Sequence, residues 1–288
     1  MKDRLVAELP LDRVPGRMLS AAAGRRMAYE ASRHLRAGFP QIAVLAFDHV
    51  GRAVALWGRY EREELDLLMQ AVGPLLTPGG VCLDVGANVG NHALFFAGHF
   101  AEVLAFEPNP RTFALLQFNA SLVANVRCFN VGLSDAAGGA QLTVPADNIG
   151  MATLHGADHA GLQGTAVACR LERLDDLPQL HGRRVSLMKV DVEGHESAVL
   201  RGAADVLRRD RPVVVFEQAG ADIAGGTSSA LELLRQAGYG RLWVLESQPA
   251  GGPRWTRLLR RLLFGESIRL VQTDRLAPRF HSMVVALP

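Results

Sequence analysis

Two short stretches carry residues able to do chemistry. The first, "CLDVGANVG" at 82–90, brings an apolar run to Asp84 and then turns through Gly86, Asn88 and Gly90. The second, "KVDVEGHE" at 189–196, sets Lys189, Asp191 and Glu193 at alternate positions, on one side of a strand while it stays extended. Gly194 then makes a turn, His195 and Glu196 open a helix, and Glu217 closes the next apolar run, "PVVVFE". Glycines at a strand tip let backbone approach a ligand, and a helix start offers free N–H groups. Glu107, in "AFEPNP" about 20 residues past Asp84, is placed to accept hydrogen bonds from ribose hydroxyls. His195 can take a proton by its ordinary pKa, and Glu193 or Glu217 can do so if burial raises theirs. Asp191, Glu193 and Glu217 are also hard oxygen ligands, so a divalent metal on those three is the alternative to metal-free chemistry.

These residues need strands to end beside one another. From Thr77 the chain alternates strand-like and helix-like runs: "VCLDVG", 90–98, "AEVLAFEP", 110–122, "NVRCFNVGL", "VSLMKVDVEG", 195–208, "RPVVVFE", 227–237, "GRLWVLES" and "RFHSMVVALP". Such alternation predicts an α/β fold with a mostly parallel sheet, helices on both faces and right-handed crossovers. Ligands of these sheets bind at the strands' carboxyl ends. Before this core, residues 17–37 read as a helix with an apolar stripe, "IAVLAFDHVGRAVALWGRY" as a hairpin around "DHVG", and 61–72 as an amphipathic helix. Residues 134–165 read as short strands near Leu142 and a Gly-rich loop. The organisation expected is an N-terminal extension over 1–55 and a catalytic domain over 56–288 with an insertion at about 248–279.

The ligand follows from charge. A nicotinamide dinucleotide is cradled by G-x-G-x-x-G, whereas this chain has D-x-G-x-N-x-G. A carboxylate beside the turn repels a pyrophosphate and suits a cation. S-adenosylmethionine has a sulfonium, an ammonium and a ribose, so it fits Asp84 and Glu107 together.

The chain resembles the FkbM-type methyltransferases, a class I family dependent on S-adenosylmethionine. The resemblance rests on "GRYEREE" (58–64), "CLDVGANVGNHALFFA" (82–97), "AFEPNP" (105–110), "NVGLSD" (130–135), "LDDL" (174–177), "LMKVDVEGHESAVLRGA" (187–203) and "PVVVFE" (212–217). It spans roughly residues 55–240. It implies a Rossmann-like class I methyltransferase fold with a mostly parallel sheet of about seven strands. By similarity, Asp84, Gly86, Asn88 and Gly90 line the methionine moiety, Glu107 holds the ribose, and Asn130 and Gly132 border the adenine. Asp191 faces the sulfonium, and Tyr60 and Glu61 close over the cofactor. The implied reaction is O-methylation of a sugar, glycan or polyketide-type natural product. A non-catalytic module that kept the fold and a nicotinamide oxidoreductase are the rival classes.

Bulk properties agree with a cytoplasmic small-molecule enzyme. Of 288 residues, 49% are hydrophobic and 21% charged, with a net charge of +2 that gives nucleic acid no electrostatic footprint. No N-P-P-Y-like tetrad or cysteine follows the fourth strand, as a nucleic-acid methylase would require. The three cysteines, Cys82, Cys128 and Cys169, have no CxxC spacing and read as core residues. No signal peptide and no apolar run of bilayer length is apparent. Lys189 reads as an ion-pair partner, His92 as structural, and His155 and His159 as loop residues. "PRWTRLLRRLLFG" at 253–265 is a basic amphipathic stretch, suited to packing on the domain or to a peripheral membrane contact.

Overall fold

The computed structural model describes residues 14–46, 48–145, 152–154, 164–248 and 267–288. The stretch 253–265, His155 and His159 lie outside the described residues.

Continuous apolar runs become the inner strands. β1 (Val81–Val85), β2 (Val103–Phe106), β3 (Val126–Phe129), β7 (Val185–Val190) and β8 (Val213–Gln218) run parallel to one another in one eight-stranded sheet. Its order is β10-β9-β11-β8-β7-β1-β2-β3, where β9 is Arg241–Gln248, β10 Ser267–Thr273 and β11 His281–Leu287. β11 runs antiparallel to both β8 and β9. The count exceeds the expected seven because the end of the 248–279 insertion forms β10 along the edge of β9.

Both faces of the sheet are covered, which is why its inner strands lack polar alternation. Val81, Leu83 and Val85 point into one core with Leu200, Leu207 and Leu231 of α6 (Glu196–Gly202), α7 (Ala204–Asp210) and α8 (Ser229–Gln236). Cys82, between them, points into the opposite core with Leu65 and Leu68 of α3 (Arg62–Val72) and Phe95 and Phe96 of α4 (Asn91–Ala97). α5 (Pro110–Ala120) connects β2 to β3. The expected helix over 195–208 is interrupted at Ala203, next to Gly202. A Cβ on Gly202 would stand 2.0 Å from the Ser134 carbonyl oxygen, so the chain packs too closely there for any side chain.

Two readings of the flanking regions are corrected. The stretch 41–60 is not a hairpin: 41–45 has no strand, and His49–Trp57 is the helix α2. Asp48 caps it, accepting from the Gly51 N–H, so "DHVG" is a helix start rather than a turn. α2 therefore crosses the boundary expected at residue 55. The helix expected over 17–37 is α1 (Val14–Arg36), but its apolar stripe faces solvent, with Met18, Leu19, Met27 and Leu35 all exposed. Residues 132–172 build a small second sheet of β4 (Gly132–Leu133), β5 (Gly138–Pro145) and β6 (Gly164–Glu172), ordered β4-β6-β5.

The sequence reverses direction across the sheet between β1 and β7. β1, β2 and β3 step outward to one edge, and the chain then returns to place β7 on the other side of β1. The carboxyl ends flanking that reversal are where the chemical residues gather.

Candidate active site

A cavity of about 310 Å³ opens at those strand ends. Gly86, Asn88, Glu107, Gly132, Asp191, Glu193, His195 and Glu217 all line it, together with Tyr60. Asp84, Gly90 and Asn130 do not. Gly90 instead caps α4 in the left-handed region, and the Asn130 amide donates to the Glu107 and Pro108 carbonyls at 2.8 and 3.2 Å, fixing the end of β2.

Asp84 lies beneath the floor, fully buried, and this revises the charge argument that favoured a cation. It is registered opposite Lys189, whose ammonium stands 3.3 Å from Asp84 Oδ1 and 3.1 Å from Asp191 Oδ2. The same ammonium donates to the Gly86 carbonyl at 3.3 Å. Burial opposes its charge, but Asp191 and Asp84 outweigh burial and raise the Lys189 pKa above its ordinary value. Asp84 thus answers an internal cation rather than a ligand. Gly86 is the residue that makes the close approach: its φ is +78°, and a Cβ there would stand 1.8 Å from the Asp191 carbonyl oxygen.

Glu107 presents a fixed carboxyl group. Its Oε2 accepts from the Asn88 N–H and its Oε1 from the Asn109 N–H, each at 2.9 Å. Burial pushes its pKa up to about 7, against the lowering by those two donors. Each oxygen keeps lone-pair capacity for one more donor. Thr112 Oγ1, buried on the same cavity wall, has no hydrogen-bond partner among the described residues. An acceptor pair and an orphaned hydroxyl side by side fit a ligand with vicinal hydroxyls and ring nitrogens, as the nucleoside of S-adenosylmethionine has.

The other end of the cavity is acidic. Strand β7 ends at Val190, and the chain leaves extended geometry at Glu193, whose φ is +50°. Lys189 and Asp191 therefore share a side as expected, while Glu193 turns outward. Burial, then Asp191 and Glu196, push Glu193 up to about 7, against the lowering by Lys189. Glu217 is pushed up to about 9 by burial, then by Asp191 and Glu61. No hydrogen bond or ion pair engages Glu217 among the described residues. Asp191, Glu193 and Glu217 do not form a ligand set: among the described residues no three His, Cys, Asp or Glu groups are arranged to hold a metal. His195 precedes α6, and its Nε2 stands 2.9 Å from Ser134 Oγ, which ties the ring to the start of the small sheet's outer connection.

Tyr60 and Glu61 are clamped to the first turn of α4. Asn91 Oδ1 accepts from the Tyr60 N–H at 3.1 Å, and Asn91 Nδ2 donates to the Tyr60 carbonyl at 3.0 Å. His92 Nε2 stands 3.1 Å from Glu61 Oε2, and the Tyr60 ring lies between those of His49 and His92. Burial would raise Glu61, but hydrogen bonds from His92 and Tyr60 and the charge of Lys189 lower it. His92 is thus a partner of Glu61, and it lines the narrow cleft beside Glu217 rather than the 310 Å³ cavity. Sequence reasoning missed His49, which it had placed in a hairpin, and Phe280 and Leu142, which reach the cavity from distant segments.

Strand order 3-2-1-4-5 for the parallel part, an antiparallel strand inserted beyond it, and a glycine turn beside a strand-end carboxylate define a class I methyltransferase fold of Rossmann-like type. Residues 84–240 match the family model described as the methyltransferase FkbM domain. The chain belongs to the FkbM methyltransferase family, whose members depend on S-adenosylmethionine. It is 32% identical to the 31-O-demethyl-FK506 methyltransferase FkbM of Streptomyces tacrolimicus, over 73% of this chain and 90% of that protein. It is 33% identical to the hexuronic acid methyltransferase AglP of Haloferax volcanii, over 49% of this chain and 57% of that protein. It is 30% identical to the AMB antimetabolite synthetase AmbE of Pseudomonas aeruginosa, over 62% of this chain. The chain spans only 10% of that synthetase's length.

Proposed function

We propose that the protein binds S-adenosylmethionine in the cavity at the strand ends and methylates a hydroxyl oxygen of a small-molecule or glycan acceptor. Glu107 would hold the ribose hydroxyls, Thr112 and Gly132 would border the base, and Gly86 with Asn88 would take the methionyl part against backbone. Asp191, joined to Lys189, would face the ammonium. The bound cofactor supplies an electrophilic methyl group on a sulfonium.

The observation that carries the acceptor chemistry is Glu217. Asp191 is held by Lys189 and Glu61 by His92, whereas Glu217 is half-buried, has no hydrogen bond or ion pair among the described residues, and is raised to about 9. It also lies both in the cavity and in a narrow cleft lined by Glu61, Lys189 and Asp191. An alcohol becomes a better nucleophile as its proton departs, and a carboxylate of raised pKa is the stronger base once ionised. Glu217 accordingly receives the hydroxyl proton, and Tyr60 and Glu61 close the site from above. The acceptors named for two relatives, a hexuronic acid and 31-O-demethyl-FK506, both present such hydroxyls.

The test is transfer of a carbon-13 methyl group from S-adenosylmethionine into small-molecule and glycan fractions, read by NMR. The expected product has a methoxy carbon, and the rate rises with pH from 7 towards 9. Glu217→Gln keeps cofactor affinity but loses that rising limb. Label on nitrogen or carbon, or an unchanged pH profile in Glu217→Gln, refutes the assignment.

A further inference from the structure

A second cavity, of about 880 Å³, lies on the far side of Tyr60 and is bounded by α1, α2 and the start of α3. It shares His49 and Tyr60 with the cofactor cavity, and Glu61 and Ser282 with the narrow cleft that contains Glu217. Through these shared residues the second cavity lies next to the cleft that holds Glu217. Its volume falls in the range of ligand sites, roughly 300–1,000 Å³.

One wall is cationic. The Arg59 guanidinium lies 5.3 Å from the centre of the Phe39 ring and 4.9 Å from that of Phe95, and Arg62 lies 4.9 Å from the same Phe39. Aromatic faces hold both planes and restrict their rotation. Among the described residues Arg59 makes no hydrogen bond or ion pair, although the charge of Asp66 acts on it. Its nearest acid of consequence, Asp66, meets Arg62 Nε at 3.7 Å. Burial lowers the Arg59 pKa, which marks a guanidinium partly stripped of water. Two of the four acids that line the cavity, Glu30, Glu61, Glu63 and Glu64, are engaged away from this wall: Glu30 by Arg26 and Arg33, and Glu61 by His92.

We propose that this second cavity receives the methyl acceptor, and that Arg59 with Arg62 binds an anionic oxygen group on it, a carboxylate or a phosphate, while its hydroxyl is presented to Glu217. The inference rests on the methyltransferase reading above. Held guanidinium planes suit the fork-like contacts of such groups, and the half-buried Arg59, partly stripped of water, gains from an anionic oxygen that can take its N–H groups. The specificity implied is for acidic acceptors, such as a sugar acid or a phosphorylated glycoside, over their neutral counterparts.

The test is calorimetric titration of the full chain, loaded with S-adenosylhomocysteine, with three probes: p-nitrophenyl glucuronide, p-nitrophenyl glucoside and p-nitrophenyl glucoside 6-phosphate. At least one acidic probe is expected to bind about tenfold or more tighter than the neutral one. Which acidic probe wins distinguishes carboxylate from phosphate. Arg59→Gln and the more exposed Arg62→Gln should each erase that preference, and Arg59→Lys should restore part of it. Affinity for S-adenosylhomocysteine, measured in every variant, reports intact folding and stays at the wild-type value. Equal affinity for all three probes, or a preference that survives both Gln variants, overturns the proposal. Failure to bind S-adenosylhomocysteine would instead overturn the methyltransferase reading.

Discussion

Replacing Lys189 with Met should unsettle the floor of the active site more than any wall residue. Lys189 is the cation opposite Asp84, whose side chain has no solvent exposure. Neither Asp84 oxygen accepts a hydrogen bond from the described residues, so without the ammonium its charge has no compensation. Removing one partner of a buried pair costs about 3–5 kcal/mol. Asp191 adds little, because its side chain keeps 25% exposure and can rehydrate. At roughly 2–4 °C per kcal/mol for a domain of this size, the thermal midpoint should fall by about 6–20 °C. Met fills most of the volume of Lys, so the loss reports charge rather than a cavity. The assay is calorimetric melting of wild type, Lys189→Met, Asp84→Asn and the double variant. In the double variant the stranded charge is gone, and it should recover more than half of the single variant's loss. A single variant melting within about 2 °C of wild type, or a double variant no more stable than Lys189→Met, would show that the pair is not the support described here.

Other expectations follow from the same geometry. Gly86→Ala places a methyl group on the Asp191 carbonyl in a left-handed backbone, so cofactor affinity in equilibrium dialysis should drop roughly 100-fold. Glu107→Ala removes the acceptor pair at the ribose position and should weaken S-adenosylmethionine binding by roughly 10- to 100-fold, and it should also lower the melting temperature of the free protein, because the Asn88 and Asn109 N–H groups lose their acceptors. Folded-state values of about 7 for Glu107 and about 9 for Glu217 lie above the ordinary carboxylate range. Their protonated forms favour the folded chain, so stability is full below about pH 4.5 and is lost as pH rises through 7 and then 9. Melting curves of the free protein at pH 5, 7 and 9 should descend in that order, and Glu217→Gln should flatten the upper step; a midpoint independent of pH would contradict the burial of these carboxyls.

The parallel strands were legible because burial on both faces writes them as unbroken apolar runs, of which "VVVF" is the plainest. The glycine turn and Glu107 were legible because their spacing follows from one strand–helix–strand unit. Other features depend on which segments become neighbours. "DHVG" reads equally as a turn and as a helix cap until the Gly51 N–H meets Asp48. The pairing of Lys189 with Asp84 needs β7 beside β1, more than a hundred residues apart in sequence. The unengaged state of Glu217 and Arg59 is a property of everything around them, and no local pattern encodes it. α1 shows an apolar stripe that periodicity assigns to a core, yet that stripe points to water.

The place of β11 bears on how the molecule is made. Residues 281–287 sit between β8 and β9, although both of those strands leave the ribosome earlier. Until β11 arrives, the edges of β8 and β9 present unsatisfied amides, and a nascent chain in that state is open to pairing with itself or with other chains. Glu217 lies on β8 and Phe280 directly before β11, so the acceptor end of the site is assembled in the same late event. Synthesis halted before residue 281 would leave the glycine turn and ribose corner in place, with Glu217 on a strand whose outer edge is unpaired. Chaperone capture of such intermediates is the expected cellular counterpart of this strand order.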